Sequence, residues 1–164
     1  MGSKISSKEV QDDLPVLPQD WIRTKIIDVC YVNSGRTPQN IDLFSSEGDI
    51  NFFKISDMNT PDNEQFMSHS KIKISFSKIT ELKLKPQPEG TVIFPKRGGA
   101  IATNKKRILL KPSLYDLNLM GVTPLQIPSK FMYYWFLKQD LAQLSDGSNI
   151  PQINHQDIEP DIRH

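Results

Sequence analysis

The sequence predicts an α+β fold: a single domain whose twisted, mostly antiparallel sheet is followed by one helix late in the chain. Three observations carry this. Short β-branched or alternating apolar runs recur from Ile26 onward, turn clusters rich in Gly, Pro, Asn and Asp separate them, and an aromatic segment with helical periodicity appears only after Pro128. The 164 residues fall within the span of one domain, and 37% hydrophobic with 24% charged residues is ordinary globular composition.

Residues 1–13 are polar and are expected to form a mobile lead, with the domain proper spanning residues 14–164. Leu14 to Trp21 holds two prolines that favour extended backbone, and Trp21 with Ile22 is the first bulky apolar anchor. Ile26 to Val32 reads as a strand ending at Asn33-Ser34-Gly35, and Asp49 to Ile55 reads as a second. Asp57 to Ser70 is polar and reads as a long loop of the kind that often carries function. Lys71 to Ile74 alternates charged and apolar residues, and Leu82 to Lys85 repeats the pattern, so strands with a lysine-bearing face are expected at both. Thr91 to Pro95 reads as a buried strand delivering Lys96-Arg97-Gly98-Gly99 at its end, and Ile108 to Leu110 and Gly121 to Ile127 supply further short strands. The late helix is expected to be capped by Ser129 and stopped by Asp146-Gly147, with Tyr134, Leu137, Leu141 and Leu144 on its apolar face.

No apolar run approaches the ~18 residues that span a bilayer, and the first residues lack the apolar stretch of a secretory signal, so a cytoplasmic protein without membrane contact is expected. The single cysteine, Cys30, cannot form an internal disulfide and reads as a small core residue. With His69, His155 and His164 as the only histidines, no zinc spacing exists, and neither a metal nor another cofactor is expected. There is no nucleophile elbow and no phosphate-binding G-x-x-x-x-G-K-S/T run, and the polar stretch holding His155 and Asp157 supplies no triad, so no catalytic residue is assigned.

Charge is distributed unevenly behind a net value of +1. Residues 1–70 hold six Lys/Arg against eleven Asp/Glu, residues 71–111 hold eleven against two, and residues 112–164 hold three against six. A basic middle of +9 suits a polyanion, because each cation near a phosphate releases condensed counterions; a solvated face paired with the acidic flanks is the plainer reading. Lys96, Arg97, Lys105, Lys106 and Arg107 flank a small-residue turn and are the candidate phosphate contacts. Near the C-terminus, Ser148 and Asn149 are candidate base contacts, while Asn154 suits either base reading or the cap of a short final helix. Two rivals stay open. Asp62, Glu81 and Lys83 match the loose PD…ExK pattern of a Mg²⁺-dependent nuclease, whose acid and lysine would share one face of a strand, and the aromatic helix could serve a protein-interaction module.

Several short motifs in fixed order resemble one family. Trp21 and the run after it, Asn33-Ser34-Gly35-Arg36-Thr37-Pro38, Ile50 to Met58, Glu89-Gly90-Thr91-Val92-Ile93, the aromatic helix, and Gly147 to Asn154 are together similar to the target recognition domain of type I restriction-modification specificity subunits. The resemblance runs from about Leu14 to Ile162. It implies a non-catalytic reader of double-stranded DNA that holds one half of a split target for a modification (methyltransferase) subunit and a restriction subunit of a bacterial defence system. From charge clustering and placement along the chain, base or groove contacts are expected from some of Ser34, Arg36, Lys54, Ser148 and Asn149. A full specificity subunit carries two such domains with long spacer helices, so this chain is expected to be a single domain, either a fragment or a lone module, ending where a spacer helix would start.

Overall fold

The computed structural model describes residues 16–145 and 152–154. Among these residues eight strands form two sheets. They are β1 (Cys30–Ser34), β2 (Ile50–Phe53), β3 (Phe66–Met67), β4 (Ile72–Ile74), β5 (Val92–Pro95), β6 (Arg107–Leu109), β7 (Leu114–Tyr115) and β8 (Leu119–Pro124). The larger sheet has the order β1-β8-β5-β6-β3 and the smaller the order β4-β2-β7. Pairing is antiparallel except for β2 with β7 and β3 with β6. The α+β class and the mostly antiparallel pairing are as the sequence predicts, with two sheets in place of one.

Strand β5 is central, and its four residues are all buried because both faces of the sheet are covered. Val92 and Phe94 face a cluster with Met120, Val122 and the helix α3 (Ser129–Leu137), whose Met132, Tyr133 and Phe136 pack on the sheet. The Phe94 and Phe136 rings lie 5.2 Å apart. Ile93 points to the other face, beside Phe53, Met67, Leu109, Tyr115 and Leu119. Successive residues of β2 split in the same way: Phe53 enters this second cluster, and Phe52 a third with Ile74, Ile79, Leu84 and Leu114. Tyr115 and Leu114 of β7 divide in the same way, so the small sheet is fastened to the large one through β2 and β7.

Four expectations are corrected. Ile26–Val29 is a helical turn (α1) and the strand begins at Cys30; Ile26 and Val29 are buried at i, i+3 spacing while Ile27 between them is 52% exposed. Leu82–Lys85 is not a strand. Ser75 accepts from the Lys78 amide and caps a helix α2 (Phe76–Glu81), after which Lys83 takes a left-handed conformation (φ 52°) that drops Leu84 into the core. The late helix stops at Lys138, and Asp140 caps a separate turn α4 (Leu141–Leu144). Its buried face is Met132, Tyr133 and Phe136, so Tyr134 and Leu137 point to solvent, and the residue preceding the helix is Pro128 rather than Ser129. Trp21, finally, is 47% exposed and does not anchor the core. The expected lead at residues 1–13 and the expected stop at Asp146-Gly147 lie outside the described residues. Cys30 is buried as a core residue, and desolvation, only partly offset by a hydrogen bond with the Leu125 backbone, pushes its thiol up to about 12.

Candidate nucleic-acid interface

Ser34 closes β1, and the chain then passes through Gly35 to Arg36 along the Tyr115–Asp116 backbone. The Gly35 amide donates to the Leu119 carbonyl and that of Arg36 to the Tyr115 carbonyl, at 2.9 and 3.1 Å. A Cβ on Gly35 would lie 1.9 Å from the Asp116 carbonyl oxygen, so glycine is required by close approach. Thr37 continues the contact, its hydroxyl accepting from the Leu117 amide. This packing aims Arg36 outward, where its guanidinium reaches the Lys83 carbonyl at 3.5 Å.

Lys83 and Lys85 are exposed and line a cavity of about 220 Å³ with Asn33, Ser34 and Arg36. On the other side of Ser34, the Lys96 ammonium donates to the Ser34 hydroxyl at 3.0 Å, and exposed Arg97 follows. Burial first, and the neighbouring Arg97 charge second, lower the Lys96 pKa. The Arg97 backbone bridges to Gln152, and the Ile153 amide donates to the Lys96 carbonyl, fixing the start of the Gly98–Thr103 turn. Arg36, Lys83, Lys85, Lys96 and Arg97 thus follow one another around the ends of β1 and β5. None of them makes an ion pair among the described residues.

The other sequence candidates are used differently. Lys106 is 1% exposed, and its ammonium donates to the Asn104 side chain at 2.8 Å and to the Gln139 carbonyl at 2.5 Å. Burial lowers its pKa, and the Asp140 charge works against that shift. The Arg107 guanidinium donates to the carbonyls of Asn63, Met58 and Lys106. Lys105 is held by the Asn59 side chain. These three cations tie β6 to the 3-10 turn at Ile55–Asn59, to the loop at Asn63 and to the C-terminal end of α3. Lys54 pairs with exposed Asp42 at 2.6 Å. Ser148, Asn149 and the His155–Asp157 stretch lie outside the described residues.

Beside Lys54, Asp116 is 7% exposed; burial raises its carboxyl pKa, opposed by hydrogen bonds from Asn118 and by the Lys54 charge.

The nuclease pattern does not assemble as a shared strand face. Asp62 sits in a loop at φ 75°, Glu81 ends α2 paired with Lys78 at 3.0 Å, and Lys83 lies beyond the helix in the left-handed turn. Among the described residues no three metal-ligating side chains come together.

The sequence points to Arg36, Lys96 and Arg97 as DNA contacts, whereas it marks Lys83 and Lys85 as members of the basic block on an expected strand and Lys83 as part of the nuclease pattern. The local signal for Lys83 and Lys85, alternation, suggested the wrong element.

Two sheets packed together through β2 and β7, with a basic arc at the loop end of the larger sheet, define an α+β domain, and no helix among the described residues is long and apolar enough to cross a membrane. Over residues 18–160 the chain matches the family described as the type I restriction modification DNA specificity domain, and it belongs to that family. It is 25% identical over 150 residues to the type I restriction enzyme MjaIX specificity subunit of Methanocaldococcus jannaschii, covering 87% of this chain and 33% of that one. Solved structures share the fold, three of them as follows. One, from work on complex assembly and conformational transition of the type I R-M system, has a TM-score of 0.68 at 16% identity, covering 94% of this chain and 37% of that one. The HsdS subunit from Thermoanaerobacter tengcongensis gives 0.61 at 17%, covering 88% and 33%. The type I S subunit from M. genitalium gives 0.54 at 16%, covering 90% and 36%. The chain spans about a third of the length of these relatives.

Proposed function

We propose that this chain binds double-stranded DNA in a sequence-specific way and reads one half of a split target for the modification and restriction subunits of a type I restriction-modification complex. The observation that carries the reading is the arc of Arg36, Lys83, Lys85, Lys96 and Arg97, cations that gather at the surface without ion pairs among the described residues while neighbouring cations are absorbed into the fold. Membership of the specificity-domain family supports it. Phosphate contacts from the arc hold the duplex in register, and polar side chains beside it read base edges. Lys54, Ser34, Ser148 and Asn149 remain candidates for the base or groove side, and Lys105 for a peripheral phosphate. The chain acts as a recognition component, and the chemistry belongs to its partner subunits.

The test is binding to a random duplex pool by fluorescence anisotropy across a salt series, followed by selection and sequencing of the retained fraction. A short enriched motif with steep salt dependence is expected. Salt-independent behaviour with no enrichment refutes the reading. It would favour a protein-interaction module, a role suited to the groove of about 470 Å³ lined by Trp21, Ile22, Ile127 and Phe131.

A further inference from the structure

A second, larger cleft of about 720 Å³ opens on the far side of Arg36, between the Thr37–Asn40 segment and the edge of the small sheet. Arg36 belongs to both its lining and that of the cavity beside Lys83 and Lys85, so the cleft continues the basic arc. Lys73 and Lys78 stand on its opposite wall.

Two consecutive amides, Gln39 and Asn40, are exposed on the rim of this cleft. Most amide side chains of the described fold are committed. Asn33 accepts from the Tyr115 hydroxyl, Asn63 bonds the Asp57 and His69 carbonyls, Asn104 holds Lys106 and the Leu141 amide, and Gln139 donates to the Trp135 carbonyl. The side chains of Gln39 and Asn40 make no hydrogen bond among the described residues. Asn40 also occupies the left-handed region at φ 56° without using its side chain to cap the 3-10 turn that follows. Asparagine is tolerated there, but the conformation itself gives no reason for Gln39 beside it. An exposed tandem of amides, held on a turn whose root is fixed by Gly35 and Thr37 and flanked by cations on both walls, has the chemistry that reads adenine. A carboxamide pairs with the N6 donor and N7 acceptor of that base in the major groove.

We infer that the Gln39–Asn40 turn enters the major groove and reads adenine, with Arg36 and Lys73 on the flanking phosphates. Glu47, an acid on the same lining, faces the groove as well; it opposes phosphate and suits a cytosine amino group. The inference rests on the proposed DNA-reading role and assigns its specificity to a turn outside the basic block.

The experiment repeats the random-duplex selection with the wild-type chain and with Gln39→Ala and Asn40→Gly, then measures each protein on the wild-type motif and on an unrelated duplex. Asn40→Gly removes the amide while keeping a residue that adopts positive φ without strain, and both sites are exposed, so folding is retained and is checked by thermal melting. Each variant is expected to bind the wild-type motif about 5- to 150-fold more weakly, with unchanged affinity for the unrelated duplex, and to lose the preference for adenine at one position on reselection. If wild type enriches a motif that both variants bind and enrich equally, the turn is not the reader, although the DNA-reading role stands. If wild type enriches no motif, that role and this inference fall together.

Discussion

Arg97 and Lys106 belong to one basic block and serve opposite ends, because one guanidinium reaches solvent while the other residue's ammonium is consumed by Asn104 and Gln139. Arg97→Ala or Lys85→Ala is therefore expected to weaken binding to all duplexes alike and to lower the slope of log affinity against log salt by about one. Lys106→Met should leave that slope intact and cost about 1–3 kcal/mol of stability in urea denaturation, since the Gln139 carbonyl loses its buried donor. Equal effects of the three substitutions on the salt slope would refute the division. Asp116 supplies a pH test. Burial raises its carboxyl above the ordinary 3.8, so between that value and the raised one the folded chain holds more protons than the unfolded. Its contribution is fully present below 3.8 and declines as pH rises through the folded-state pKa. Asp116→Asn keeps an oxygen for the Asn118 amide and removes the titration. The variant should thus gain stability relative to wild type as pH rises above 3.8, measured as the difference in urea midpoints. A gap independent of pH would mean that the buried carboxyl titrates normally.

Each element was legible in the sequence to the extent that its own periodicity settled its environment. Val92 to Pro95 reads as buried because it is apolar throughout, and it is the central strand; Ile50 to Phe53 and Ile72 to Ile74 were equally plain. Leu82 to Lys85 misled because a left-handed residue at Lys83 imitates alternation, and Ile26 to Val29 because β-branched residues suit a strand even where their burial follows a helical turn. The pairing of β2 with β7 and of β3 with β6 is parallel and long-range, which no local pattern encodes. Close approach was also hidden, and it yields a graded prediction for the glycines. Gly35→Ala must separate β1 from the Tyr115–Asp116 backbone, and Gly121→Ala would meet the Tyr115 hydroxyl at 2.1 Å, so each should destabilise by roughly 3 kcal/mol. Gly98→Ala has open space but a φ of 65°, which predicts a loss of about 1 kcal/mol, whereas Gly99→Ala, open and without that strain, should change little. Denaturant midpoints of the four variants give the order directly, and a Gly35→Ala protein as stable as Gly99→Ala would contradict the described packing of the arc.

For the whole molecule, a net charge of +1 conceals the property on which the proposed function depends. The sequence showed a +9 segment, and folding sorts its members: Lys106 and Arg107 are spent on internal carbonyls, Lys78 on Glu81, while Lys83, Lys85, Lys96 and Arg97 meet Arg36, contributed by the acidic first part of the chain. That sorting could not be read in advance, since it depends on which carbonyls and carboxylates the fold places within reach of each cation. It has a measurable consequence. If the arc supplies the phosphate contacts, five cations at about 0.9 counterion each predict a slope of log affinity against log salt near −4 to −5 for duplex DNA. The whole basic block acting together would require about twice that, and net charge alone would produce almost none. Anisotropy titrations of one unselected duplex over a salt series separate the three cases: a slope close to −10 would return Lys105, Lys106 and Arg107 to the interface and demand that β6 release them on binding, whereas a slope near −1 would leave the arc without a role in holding the duplex.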